Sequence, residues 1–265
     1  MKVPTAAATA EQAREHPVCH GARGRLRRAS GREVTFSMTL FAETRSGQAP
    51  DHFVTSTGWD VTIDDAALVL GPVYLFENLP PGASLVRWWR PDGWIVRTAR
   101  AHAGNQHFAG GAVLAEYVGQ LALDVRRGEP VELGPVTAAA GRARSFSVLL
   151  DPPRAGLGEA TRGHHVRVRG RATREGATVA FEGGLDIPNE GRLSKVEGLP
   201  LDAPLEDGGR FTLVVHPDAW FDAADFAKLP ADEGEASRTI TRETQPGAVW
   251  FNAVRGAAAF TGRYE

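Results

Sequence analysis

Cysteine is nearly missing from this chain of 265 residues, and the one present, Cys19, leaves no internal disulfide to be formed. Lysine is almost as scarce. Lys2, Lys195 and Lys228 stand against a basic complement that is otherwise all arginine, which with abundant alanine and glycine is the residue usage of a GC-rich bacterial genome. No apolar run approaches the roughly 20 residues a membrane-spanning helix needs. The formal charge of -2 gives no electrostatic reason to expect a nucleic acid or an anionic membrane surface as partner. Enzyme signatures are lacking too. The chain has no G-x-S-x-G elbow, no H-E-x-x-H, no phosphate-binding G-x-x-x-x-G-K-[ST] and no dinucleotide fingerprint between a strand and a helix. The expectation is a protein that is not an enzyme and binds no nucleotide.

The opening MKVPTAAATAEQAREHP lacks the apolar core of a signal peptide. Its small, polar, Ala/Thr-rich character is that of a lead between an export signal and a mature domain, with Met1 standing where a lipid-bearing cysteine would sit. Residues 1–31 are therefore expected to be a flexible tether. The expected location is periplasmic, outer-membrane-anchored or extracellular, with the cytoplasm as the alternative. Within this stretch His16-Pro17-Val18-Cys19-His20 ends like a c-type haem attachment motif but has histidine where the first cysteine must be, so covalent haem is rejected. A Cys/His metal site around Cys19 is chemically feasible, although a chance cysteine in a tether is the better reading.

What is abundant is two-residue alternation. Val34, Phe36, Met38 and Leu40 alternate with Thr35, Ser37 and Thr39, and Trp59, Val61 and Ile63 alternate with Asp60, Thr62 and Asp64 before an apolar run to Leu70 and a break at Gly71-Pro72. Further strands are expected at 73–76, 121–125, 131–136, 146–150, 164–173, 179–185, 210–215 and 260–264. Ala248–Val254 is one more apolar run. Pro91-Asp92-Gly93 supplies the turn of a hairpin over 85–98, and 99–111 is too rich in glycine to be a strand. Near 218–229 the period changes to that of one short helix, with an acidic start and Lys228 at its end, both favourable to the helix dipole. Many short strands with Gly/Pro turns and little helix predict an all-β fold, an antiparallel β-sandwich or barrel-like domain over 32–265 that could divide near 151–163.

Histidines carry the leading functional expectation. His102 and His107 share a glycine-containing loop, and Gly104 lets the chain curl; fully extended, their Cα atoms would be ~17 Å apart and could not share an ion. With a third ligand from His52, Glu116 or the His164/His165 pair, they would hold zinc or copper, for which neutral imidazole is a common ligand. His164 lies on an apolar strand face and is expected in the core, His165 in solvent beside arginines, and His216 bonded to backbone at a strand end. Asp60, Asp64 and Asp65 lack calcium-loop spacing and read as a wet strand face. The second expectation is a carbohydrate- or surface-binding module using Trp88, Trp89 or Trp94, since an exposed indole can stack on a sugar ring. The third is a structural or assembly component of the cell envelope.

Three segments carry a resemblance: F-x-T-x-x-G-W-x-V-x-I from Phe53 to Ile63, H-x-x-x-x-H from His102 to His107, and W-F-D-x-x-D-F-x-x-L from Trp220 to Leu229. Together they resemble parts of uncharacterised exported lipoproteins of GC-rich, multicellular soil bacteria. The resemblance implies export and brings no activity with it.

Overall fold

The computed structural model describes residues 32–80, 112–189, 193–231 and 236–265. The fold is all-β, as the alternation predicts, and its strands make two sheets. The first half contributes β1 (Glu33–Ala42), β2 (His52–Val54), β3 (Asp60–Leu70), β4 (Val73–Phe76), β5 (Val113–Tyr117), β6 (Leu121–Asp124), β7 (Val131–Ala139) and β8 (Gly141–Leu149). After the short helix α1 (Gly158–Thr161) follow β9 (Val166–Arg174), β10 (Ala177–Leu185), β11 (Lys195–Leu205) and β12 (Arg210–Val215). The chain ends with helix α2 (Pro217–Phe221), β13 (Arg238–Thr239), helix α3 (Gln245–Val254) and β14 (Phe260–Tyr264).

One sheet has eight strands in the order β11-β8-β4-β5-β7-β1-β12-β14 and curls until it nearly closes. The other runs β13-β10-β9-β3-β2, with β6 also paired to β3. The sheets are mixed: β1 with β12 and β10 with β13 run parallel, and the other ladders are antiparallel. The pairings β3–β9, β8–β11 and β1–β12 join residues on both sides of 151–163, and their buried side chains belong to one contiguous core. Gly71 is the corner between sheets. Its φ of +113° suits glycine, and a Cβ there would lie 2.2 Å from the Gly119 carbonyl oxygen, so the chain can step from β3 to β4 only without a side chain.

The apolar run Ala248–Val254 is helical. Thr244 caps α3 through its hydroxyl, which accepts the Gly247 N–H at 3.2 Å, and Pro246 sits in the first turn, where a missing donor costs nothing. The expected helix near 218–229 is split into α2 and a 3-10 turn at Phe226–Lys228. The residues between are used elsewhere: Asp222 accepts the Ser56 N–H at 2.9 Å, the Asp222 and Ala224 carbonyls accept the Ser56 and Thr57 hydroxyls at 2.7 Å each, and Asp225 accepts the Trp59 indole N–H at 3.3 Å. Two of the three segments that carry the resemblance therefore meet, with the Trp59 ring edge-on to Phe226 at 5.6 Å and the Arg174 guanidinium 4.3 Å over it.

Trp59 is 2% exposed, so Trp59→Ala should cost about 3–5 kcal/mol. Urea denaturation measures it, and a loss below about 1 kcal/mol would contradict this account of the contact.

Candidate functional site

The two terminal strands of the curled sheet, β11 and β14, come side by side. In β11 buried Leu199, Leu201, Ala203 and Leu205 alternate with exposed Pro200, Asp202 and Pro204. Pro200 and Pro204 have no N–H to donate, and the register of β11 with β8 shifts twice along its length. At this seam lies an open groove of about 690 Å³.

One wall of the groove is Tyr264. Its hydroxyl accepts the Glu206 N–H at 2.8 Å and donates to the Glu206 carbonyl at 3.0 Å, and its ring stands edge-on to Phe36 at 5.6 Å. The ring lies against Gly209, where a Cβ would come within 2.3 Å of the hydroxyl oxygen. Burial raises the phenol's pKa, so it stays neutral. Opposite, Arg142 donates from Nε to Asp202 at 2.5 Å, and this hydrogen bond keeps the Asp202 carboxylate below its usual range. Arg144, two residues on along β8, lines the groove as well. It makes no hydrogen bond or ion pair with the described residues. Leu79 and Pro80 form a further part of the wall, and Pro80 is where the chain passes into the 81–111 stretch. That stretch is clasped at its ends by the Glu77 N–H donating to the Ala112 carbonyl at 3.0 Å.

His102 and His107, Trp88, Trp89 and Trp94, and Cys19 all lie outside the described residues. His52 is on β2, with Nε2 2.6 Å from Asp60, both side chains more than half exposed. Glu116 is on β5, in the other sheet, opposite Tyr74, whose hydroxyl is raised well above its usual range by burial and then by the Glu116 charge. The described residues do not bring His52 and Glu116 together. Nor is any group of three or more His, Cys, Asp or Glu side chains among them placed to hold a metal ion. Asp64 and Asp65 meet Arg171 and Arg167 at 3.1 and 2.6 Å; instead of the solvated face expected, these are half-buried carboxylates neutralised by cross-strand arginines.

The paired histidines exchange their expected places. His165 is 5% exposed, whereas the His164 ring lies across Gly184 and donates from Nδ1 to Asp186 at 3.0 Å, half in solvent. The alternation of β9 does not extend back to His164, because Arg162 and Gly163 take positive φ and turn the chain just before it. His165 Nδ1 accepts the Ile187 N–H at 3.3 Å, so that lone pair is not free for a metal. The proton of the neutral ring then sits on Nε2, which, like the Thr161 hydroxyl, is buried with no hydrogen-bond partner among the described residues. His216 does bond backbone: Nδ1 donates to the Glu43 carbonyl at 3.0 Å and Nε2 accepts from the Thr261 hydroxyl at 2.9 Å.

The groove residues went unnoticed in the sequence, although two signals bear on them. One is the proline-broken alternation of 199–205, and the other is arginine at 142 and 144 on the strand that continues into Phe146 and Val148. Among the described residues no helix is long and apolar enough to cross a membrane. Comparison with family models, curated proteins and solved structures finds no match.

Burial, outweighing Asp186, pushes the pKa of His165 down. The folded state thus takes up this proton less readily than the unfolded chain, and its contribution to stability is present above pH ~6.5 and lost as pH falls below it. His165→Asn keeps an acceptor for the Ile187 N–H and removes the titration. Denaturation midpoints measured from pH 7.5 to 5 should fall less steeply for this variant than for the parent; equal slopes would refute the assignment.

Proposed function

We propose that the chain is a non-catalytic saccharide-binding module, acting outside a bacterial cell, with the groove between β11 and β14 as its binding face. The observation that carries this reading is the Tyr264 platform: an aromatic ring held by two hydrogen bonds of its own hydroxyl, at an open groove whose other wall offers guanidinium and carboxylate groups. A ring that is already ordered loses little freedom when a sugar stacks on it, and planar fork donors suit the hydroxyls of a pyranose. The export part of the reading rests on the resemblance.

Affinity electrophoresis through gels carrying a panel of polysaccharides tests the proposal. At least one polymer should retard the protein, and Tyr264→Ala should weaken that binding about tenfold or more, equivalent to ~1.4 kcal/mol. Circular dichroism must show the fold intact. Unchanged retardation in Tyr264→Ala, or none across the panel, would refute the assignment.

A second reading keeps the metal. The Glu77–Ala112 clasp closes the stretch that contains His102 and His107, and the exposed Glu116 lies four residues beyond it on β5. These three would take zinc or copper. Elemental analysis of untagged protein should then find metal at pH 7.5, lost in the His102→Ala/His107→Ala double variant and largely released by about pH 5 as the imidazoles protonate. Metal kept at pH 5 would exclude a mainly histidine shell.

A further inference from the structure

We infer that the groove selects acidic saccharides, with Arg144 as the residue that meets the ligand's negative charge. This inference rests on the saccharide reading above and gives it a ligand class. Two guanidiniums and one carboxylate line the groove. Asp202 is committed to Arg142 through the 2.5 Å bond to Nε, so that pair is internally neutral. Arg144 is exposed, and its charge is left without an ionic partner among the described residues. It acts on Asp202 from a distance, adding to the fall in that carboxylate's pKa, but stays outside contact range.

Arg142 and Arg144 are two apart on one strand and so point to one side, roughly 7 Å apart. A chain of sugar rings running along the seam would pass Tyr264 and both of them. A neutral polymer would leave the Arg144 charge uncompensated. A carboxylate or sulfate ester on the ring would accept two parallel N–H bonds from its planar fork, a geometry that lysine cannot reproduce. Arg144 is a surface residue, and replacing it leaves the core untouched.

The test measures retardation of the full chain by polygalacturonate and alginate (carboxylate), dextran sulfate (sulfate) and dextran and pullulan (neutral), each at low and at physiological salt. Acidic polymers should retard the protein about tenfold more strongly than neutral ones, and salt should weaken only the acidic arm. Arg144→Gln should abolish the preference and Arg144→Lys should retain part of it, while Asp202→Asn, which frees Arg142, should increase it. The carboxylate and sulfate arms then say which anion is read. Equal retardation by neutral and acidic polymers, or an unchanged preference in Arg144→Gln, overturns the inference and leaves the saccharide reading standing. Retardation by dextran sulfate alone that survives Arg144→Gln marks unspecific polyanion binding and also overturns it. Retardation by none of the polymers overturns both.

Discussion

The docking of the turn before β3 onto the segment after α2 is the contact on which most of the architecture leans. The turn shapes itself first: the Thr55 N–H donates to the Trp59 carbonyl at 2.8 Å, the Trp59 N–H to the Thr55 hydroxyl at 3.0 Å, and Gly58 takes a φ of +80°. It then presents the Ser56 N–H, the Ser56 and Thr57 hydroxyls and the Trp59 indole to Asp222, Ala224 and Asp225. Asp225 does three things at once, accepting from Trp59, pairing with Arg174 at 3.3 Å and capping the 3-10 turn through the Ala227 N–H. The Asp225 N–H is in turn held by the Gln245 side chain at 2.8 Å, which ties α3 to the same point. Such partly buried, charge-assisted contacts are stronger than exposed pairs, and each removes a donor or acceptor that would otherwise be costly to bury.

Below this point the aromatic side chains pack as one group. Phe226 stacks on Phe181 of β10 at 4.8 Å, and Phe221 lies against both of these rings and against Trp250 of α3 at 5.7 Å. The six-stranded sheet thereby gets a covered inner face from helices rather than from strands alone. The Trp220 and Trp250 indole N–H groups are buried there without an acceptor among the described residues, a local cost that dense aromatic packing offsets.

The other end of the molecule follows a contrary logic. A sheet of eight strands could have closed into a barrel, since β11 and β14 already lie together. Yet the strand order leaves them at its two ends, unpaired with each other, and β11, with proline at 200 and 204, forms its ladder with β8 alone among the described residues. What remains is an open groove at the seam. The groove at this seam is lined by the Tyr264 ring, held through its own hydroxyl, and by Arg142, Arg144 and Asp202.

Alternation with a period of two is a local property, and it was enough to locate β1, β3, β10, β12 and β14 and to assign the all-β class from the chain alone. His216 bonds backbone as its place at a strand end suggests, but the carbonyl it meets is that of Glu43, which only the tertiary structure brings to it. At Ala248–Val254 alternation gives no answer: seven mostly apolar residues carry no decisive period, and the Thr244 cap with Pro246 is the local signal that separates helix from strand. His164 and His165 exchanged places because a positive-φ turn two residues earlier shifts the start of the alternation. Which edges face each other, that β1 pairs in parallel with β12, and that residues from β8, β11 and β14 share one groove were decided only by tertiary structure. Those facts depend on register and closure between segments tens to more than a hundred residues apart, and no local pattern encodes the sum of many weak long-range contacts that selects them.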